Sequence, residues 1–310
     1  MATTSIQRQP EIKALIERTR RHLERQGLTQ KSLAFRINYS QAALSHFMNR
    51  NYHWAAQDQI ANSILQYLDR AEANLKKKKP AKLYETANVQ LIRQMLHVAL
   101  ERSTACYLRG APGTQKSFVL ETLIEEINRN SNEPQAYHIR CLENMKPGHL
   151  MKSIALECGA LPAGTLHVVI QNLKFHLEGK PTVLVFDEAQ GLSFTCLELV
   201  RYLHDELGCG VLLAGSHDLE STFLKLNMQQ WHSRISRGVT LPGLSREEAC
   251  DIASRELPDF SRSDIAKLVE SCQDPDMRDG KVHYYISARK LFNTIADIQQ
   301  RSAAKKGKLQ

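Results

Sequence analysis

The residues best suited to chemistry lie in one stretch, Gly110-Ala111-Pro112-Gly113-Thr114-Gln115-Lys116-Ser117-Phe118. Two glycines, a Pro-Gly step and a Lys-Ser pair sit between a short apolar run (105–108) and a segment of helical period. That is what a phosphate-cradling loop requires. Its backbone N–H groups face a phosphate, and the helix N-terminus behind them adds a favourable field. In such a loop Lys116 reaches the β- and γ-phosphates of ATP, and Ser117 offers its hydroxyl to Mg²⁺. One position departs from the pattern: Gln115 stands where glycine ordinarily precedes the lysine, because a tight loop makes a side chain awkward there. The exchange is expected to affect loop geometry or turnover more than fold.

A second chemical group closes the apolar run 182–186, which reads as a buried parallel strand and ends in Asp187-Glu188. At the carboxyl end of such a strand Asp187 can hold the water shell of Mg²⁺ beside Ser117, and Glu188 can polarise an attacking water. The plainer alternative is an acidic pair capping a helix. Another apolar strand, 210–215, ends at Ser216, placed either to meet a γ-phosphate or to cap a helix. Arg234 and Arg237 precede a short strand, 239–242, and an arginine there can neutralise transition-state charge in a neighbouring subunit's site. Arg289, near the start of the last helix, can fold back onto a nucleotide or remain a surface arginine.

Periodicity supplies the elements that must hold these groups. Helices are expected at 85–101, 118–129, 151–158, 166–177 and 193–207, interleaved with strands at 105–108, 137–141, 182–186 and 210–215. That alternation implies an α/β core, a parallel sheet flanked by helices. Helices at 246–256, 262–272 and 287–301 follow, the first opened by Ser245 at N-cap and Glu248 at N3. The segment 274–280 reads as polar and turn-like. His138, His149, His167 and His176 show no zinc spacing and read as ordinary core or surface histidines.

The first part of the chain is helical. Ile12, Leu15, Ile16 and Leu23 stripe a helix over 9–26 that Gly27 stops; Thr29 and Ser40 are candidate caps for helices at 30–36 and 41–48, and a fourth covers 56–68. The stretch LTQKSLAFRINYSQAALSHFMNR resembles a helix-turn-helix, with Ala34 at the crossing and Ile37, Ala43 and Leu44 in its core. Its second helix would offer Ser40, Gln41, Ser45, His46, Asn49 and Arg50 to the major groove of double-stranded DNA. A helical adaptor that packs on a partner is the competing reading. Lys76-Lys77-Lys78-Lys79-Pro80 marks a boundary, as a solvated linker or as a contact to DNA phosphates. The expected division is therefore 1–75, linker 76–84, α/β core 85–243, helical lid 244–302 and basic tail 303–310.

Bulk properties narrow the setting. A formal net charge of +8 over 310 residues, with pI near 9.1, favours an acidic partner such as nucleic acid. Seven cysteines are scattered singly without CxxC spacing, which argues for reduced thiols rather than disulfides or zinc. The N-terminus has no signal-peptide core, and no run of about 18 apolar residues occurs, so a cytoplasmic protein without a membrane span is expected.

The order GAPGTQKS, VLVFDEAQ, VLLAGS, HSRISRGVTLPGLSREE and ISARKL resembles the AAA+ ATPases, and within them the transposition-regulator family typified by the phage Mu B and Tn7 C proteins. The resemblance spans about 85–300, and the helical unit ahead of it extends the likeness to nearly the whole chain. It implies that 110–117 is Walker A, Asp187-Glu188 Walker B and Ser216 sensor 1, where Asn or Thr is commoner. It further implies that Arg234 is the arginine finger, with Arg237 second, and that Arg289 is sensor 2. ATP and Mg²⁺ are the implied cofactors. Self-association into a ring or helical filament on DNA and a DDE transposase partner are also implied, as is an origin in a bacterial, phage or transposon genome. A regulator that binds nucleotide with little or no hydrolysis remains the alternative, favoured by Gln115. A secretion or membrane-remodelling ATPase is disfavoured by the N-terminal unit.

Overall fold

The computed structural model describes residues 9–26, 28–49, 54–77, 82–219, 231, 234–278 and 281–307. They form two compact units. One comprises Met1–Lys82, Ile127–Tyr137 and Lys146–Lys180, the other Leu83–Glu126, His138–Met145 and Pro181–Gln310.

In the first unit, helices α1 (Gln9–Gln26), α2 (Gln30–Arg36), α3 (Gln41–Met48) and α4 (Trp54–Lys77) close over one apolar core. Leu15, Ile16 and Leu23 of α1 meet Leu33, Ala34 and Ile37 around α2, Leu44, Phe47 and Met48 of α3, and Ile60, Ile64 and Leu68 of α4. Both expected caps are in place: Thr29 Oγ1 accepts from the Ser32 N–H and Ser40 Oγ from the Ala43 N–H, each at 3.1 Å. Asn38 turns the chain between α2 and α3 at φ 61°, a left-handed conformation that asparagine tolerates. Helix α4 runs past the expected end at 68, because Ala71, Ala73 and Leu75 are good helix formers, and it carries Lys76 and Lys77 as helical residues. Gly27, Arg50, Lys78, Lys79 and Pro80 lie outside the described residues. The same unit holds α7 (Pro147–Glu157) and α8 (Leu166–Leu177), and Arg36 Nη2 donates to the Leu156 carbonyl at 2.5 Å.

The second unit is built on strands β1 (Ala105–Gly110), β3 (Val183–Asp187), β4 (Gly210–Gly215) and β5 (Ile235–Leu241). With β2 (Ala136–Arg140) they form a five-stranded sheet in the order β2-β3-β4-β1-β5. The β1–β4, β1–β5 and β3–β4 pairs are parallel. Every residue of β3 and β4 is buried, as continuous Val/Leu runs demand in a sheet covered on both faces. Helices α5 (Ala87–Glu101), α6 (Lys116–Arg129) and α9 (Phe194–Leu207) accompany the sheet.

The C-terminal region contains α10 (Arg246–Glu256), α11 (Arg262–Ser271) and α12 (Ala288–Gly307) around a separate core that includes Ile252, Leu268, Leu291 and Ile295. The capping box at Ser245 and Glu248 is complete. One expectation is corrected: the segment read as a polar turn from 274 is the first strand of an antiparallel hairpin, β6 (Gln273–Arg278) with β7 (Lys281–Ile286). Alternating Val282, Tyr284 and Ile286 carry the strand signal.

Candidate functional site

Strand β1 ends at Gly110 and helix α6 begins at Lys116, so the phosphate-loop residues join a parallel strand to a helix N-terminus. Around that junction lies a cavity of about 480 Å³. It is lined by Pro112, Gly113, Gln115, Lys116, Ser117 and Phe118 from the loop, Glu188 and Gln190 after β3, Ser216 after β4, and Arg289, Phe292 and Asn293 on α12. Of the expected nucleotide-site residues, Lys116, Ser117, Glu188, Ser216 and Arg289 thus share one wall system. Arg234 and Arg237 are not among its lining residues.

The loop is strained in a telling place. Gln115 has φ 61°, the left-handed region where a Cβ costs roughly 1–2 kcal/mol. Glycine would be free of that cost, which is the physical reason the departure from the motif matters. Gly113 also has positive φ (85°), and a Cβ on it would lie 2.5 Å from Ser287 Oγ. The C-terminal region therefore closes directly on the loop. The Arg289 N–H donates to the Gly113 carbonyl at 3.1 Å, and the Tyr285 hydroxyl donates to the Pro112 carbonyl.

Lys116 is 9% exposed, and its Nζ donates to the Gly110 carbonyl at 2.7 Å and the Ala111 carbonyl at 3.1 Å. Burial lowers its pKa; Glu188 and Asp187 act against that shift, and Arg289 adds to it. An ammonium held on neutral carbonyls in a dry site is suited to exchange them for anionic phosphate oxygens.

Asp187, 1% exposed, ends β3 beside the Ser117 hydroxyl, while His138 Nε2 stands 3.4 Å from its Oδ2. Burial pushes the Asp187 carboxyl up, but the neighbouring His138 and Ser117 side chains outweigh it and hold the pKa below its ordinary value. An ionised carboxylate beside a serine hydroxyl suits Mg²⁺, which keeps several waters and takes its other ligands from phosphates. Among the described residues no cluster of three or more His, Cys, Asp or Glu side chains suits a metal wholly ligated by protein.

Glu188 follows at φ 57°, a second left-handed residue, and opens the short 3₁₀ turn Ala189–Gly191. Gln190 Nε2 donates to Glu188 Oε2 at 2.7 Å, and Gln190 Oε1 accepts from the Ser216 N–H at 3.1 Å. The Ser216 hydroxyl bonds Asp218, donating to its carboxylate at 3.2 Å and accepting from its N–H at 3.3 Å, so this side chain also caps a turn. Sequence reasoning overlooked Gln190, Tyr285, Ser287 and a role for His138. Only Gln190, two residues beyond the acidic pair, had any sequence cue.

Two further sets of expected residues lie elsewhere. Arg234 is paired with Asp205 on α9, and Arg237 is exposed on the edge strand β5. On α3, Gln41 and His46 are exposed and Ser45 half-buried, with Asn49 Nδ2 donating to Ser45 Oγ at 3.5 Å. Ser40 spends its hydroxyl on the cap. The seven cysteines carry no disulfide, six being buried and Cys250 partly so. Among the described residues no helix is long and apolar enough to cross a membrane.

Comparison with known proteins agrees with this geometry. Residues 99–223 match the family described as AAA domain. The chain is 24% identical over 251 residues to the Mu-like prophage FluMu DNA transposition protein B of Haemophilus influenzae, covering 77% of this chain and 84% of that one. It is 22% identical over 234 residues to the ATP-dependent target DNA activator B of Escherichia phage Mu, covering 74% and 72%. Among solved structures, the Aeropyrum pernix ORC2 protein in its ADPNP–ADP complexes is similar in fold, with TM-score 0.51, 14% identity, and coverage of 73% of this chain and 66% of that one. The sheet order, the loop at the end of β1, the acidic pair at the end of β3 and the matched segment together give a mixed α/β core similar to the AAA domain, with a parallel sheet flanked by helices, joined to a C-terminal helical region and an N-terminal all-helical one.

Proposed function

We propose that this chain is a DNA-binding ATPase that assembles on double-stranded DNA and selects or delivers target DNA to a DDE transposase, hydrolysis controlling release. The observation that carries the reading is the gathering of Lys116, Ser117, Glu188, Ser216 and Arg289 around one cavity, with Asp187 beside Ser117. Lys116 and the α6 N-terminus hold the β- and γ-phosphates, Ser117 and Asp187 hold Mg²⁺, Glu188 accepts a proton from the attacking water, and Arg289 bears on the phosphates from α12. Bound Mg²⁺ would supply charge neutralisation between the phosphates. Arg234, or failing it Arg237, serves the site of a neighbouring copy in a ring or helical filament. Ser40, Gln41, Ser45, His46 and Arg50 form the DNA-facing side of the helix-turn-helix, and Lys76 to Lys79 contact phosphates. The domain limits are those given by the sequence, 1–75, 85–243 and 244–302 with a basic linker and tail. The proteins named DNA transposition protein B and target DNA activator B support the transposition role, as does the net charge of +8 the role of DNA. A protein encoded by a phage or transposon and working in the bacterial cytoplasm fits that setting.

The test is ATP turnover with and without DNA, with Glu188→Gln (E188Q) as control, and electron microscopy on DNA with a slow ATP analogue against ADP. Turnover of the wild-type chain above the variant, and assemblies on DNA with the analogue, are the expected results. Wild-type turnover no higher than E188Q under every condition would leave the second reading, a nucleotide-switched DNA-binding regulator. The left-handed Gln115 favours that reading.

A further inference from the structure

Gln190 joins two parts of the site that no motif connects. Its carboxamide reaches the Glu188 carboxylate on one side and the backbone at the end of β4 on the other. The Ser216 N–H can only donate, so the amide oxygen must face it, and the NH₂ group must face Glu188. The orientation of Gln190 is thereby fixed by the network. Gly215 leaves the space for it: a Cβ there would lie 2.4 Å from Gln190 Oε1. With Oε2 of Glu188 engaged, Oε1 is the oxygen left to accept from water.

We propose that Gln190 is a positioning residue that holds Glu188 toward the cavity and ties its orientation to the Ser216 end of β4. The proposal rests on the reading of this site as an ATP-hydrolysing one. Turnover then depends on Gln190 more steeply than nucleotide binding does, because its two bonds go to Glu188 and the Ser216 N–H and to neither Lys116 nor the loop, although the side chain also lines the cavity.

The experiment compares wild type, Gln190→Ala and Gln190→Glu for binding of a fluorescent ATP analogue, for turnover across pH, and for exchange of the Gln190 side-chain NH₂ by ¹⁵N NMR without nucleotide. Q190A should turn over about 10- to 100-fold more slowly, the equivalent of one charge-assisted hydrogen bond, with a much smaller change in analogue binding. Q190E keeps an acceptor for Ser216 and is nearly isosteric, so it should fold; it can donate to Glu188 only when protonated. Its turnover should therefore recover relative to wild type as pH falls. The NH₂ exchange should be slowed in wild type and released in Glu188→Ala (E188A). Equal turnover in Q190A, or a Q190E pH profile parallel to wild type, overturns the proposal. Absence of turnover in wild type sinks the ATPase reading instead, and exchange unaffected by E188A would then show that the bond itself is not made.

Discussion

Arg234 grips the carboxylate of Asp205 at two points, Nε to Oδ1 at 2.7 Å and Nη2 to Oδ2 at 2.9 Å. Arg201 Nη1 holds the same carboxylate at 3.0 Å. Arg234 thus has an anionic partner within its own chain, and action on a neighbour's phosphate requires an exchange of one anion for another. The pair is partly exposed, so the exchange costs no more than about 1 kcal/mol. The hydrogen bond from Arg234 is the main cause that holds the Asp205 pKa below its ordinary value. A depressed carboxylate contributes stability above its unfolded pKa and loses it only as pH falls through the folded value. The pair is therefore intact at neutral pH, and acid alone would not release Arg234 in the working range.

Arg234→Ala should leave stability within about 1 kcal/mol of wild type, since it removes one part-exposed ion pair. If the arginine acts in trans, turnover should fall by about 10³-fold or more. An equimolar mixture of R234A and E188Q should regain turnover, because each E188Q copy lends its arginine to an R234A site. A mixture as inactive as its components would exclude action across subunits. Wild-type turnover in R234A alone would pass the role to Arg237.

Gln115 tests the loop from within. At φ 61° its side chain carries a left-handed penalty that glycine lacks, though glycine gives back about 0.5–1 kcal/mol in chain entropy. Gln115→Gly should therefore change unfolding stability by only about 1 kcal/mol and retain ATP binding, both measurable by thermal unfolding with and without nucleotide. Gln115→Val places a β-branched residue where positive φ is a true outlier, and should lose nucleotide binding. Tight binding by Q115V would mean that the loop changes conformation when it is filled.

The closure of the C-terminal region on the loop is equally testable. Gly113→Ala meets two obstacles, a φ of 85° and a Cβ 2.5 Å from Ser287 Oγ. It should weaken ATP binding about tenfold or more and destabilise by roughly 1–3 kcal/mol. Adding Ser287→Ala removes the clash but not the backbone strain, so binding should recover in part. No recovery in the double variant would assign the whole loss to the backbone.

The frame of the candidate site was readable in the sequence because its parts are local. Strand β3 announces itself by an unbroken apolar run closed by Asp187-Glu188, and Lys116-Ser117 stands at a strand-to-helix junction that glycine and proline punctuate. What escaped depends on distance in the chain. Ser287 and Tyr285 meet the phosphate loop only because α12 and β7 fold back on it, and nothing in the residues around 285 encodes that return. The hairpin was missed for another reason: Asp274, Pro275 and Asp276 read as turn residues when weighed without the alternating partner strand. Gln190 was passed over because a glutamine after two acids looks like a polar loop residue until its two bonds are seen.

In the N-terminal unit a capping residue and exposed polar residues share a single helix. Ser40 caps α3 with its hydroxyl, while Gln41 and His46 are exposed on the same helix. Ser40→Ala should cost about 0.5–2 kcal/mol of stability, because its hydroxyl is held by the cap, and should weaken DNA binding less than the loss of Gln41 at temperatures where the unit stays folded. Gln41→Ala should do the opposite, leaving the melting temperature nearly unchanged and weakening DNA binding measured by anisotropy, and His46→Ala should weaken that binding as well. If Gln41 reads a base edge, its loss should cost about 1–3 kcal/mol against a preferred sequence and much less against a random one. Phosphate contacts by the basic residues would instead weaken all sequences alike and appear in the salt dependence. Unchanged binding in both Q41A and H46A, with S40A equally unaffected below its melting point, would identify the unit as a protein-binding adaptor and move the DNA contact onto the AAA+ core.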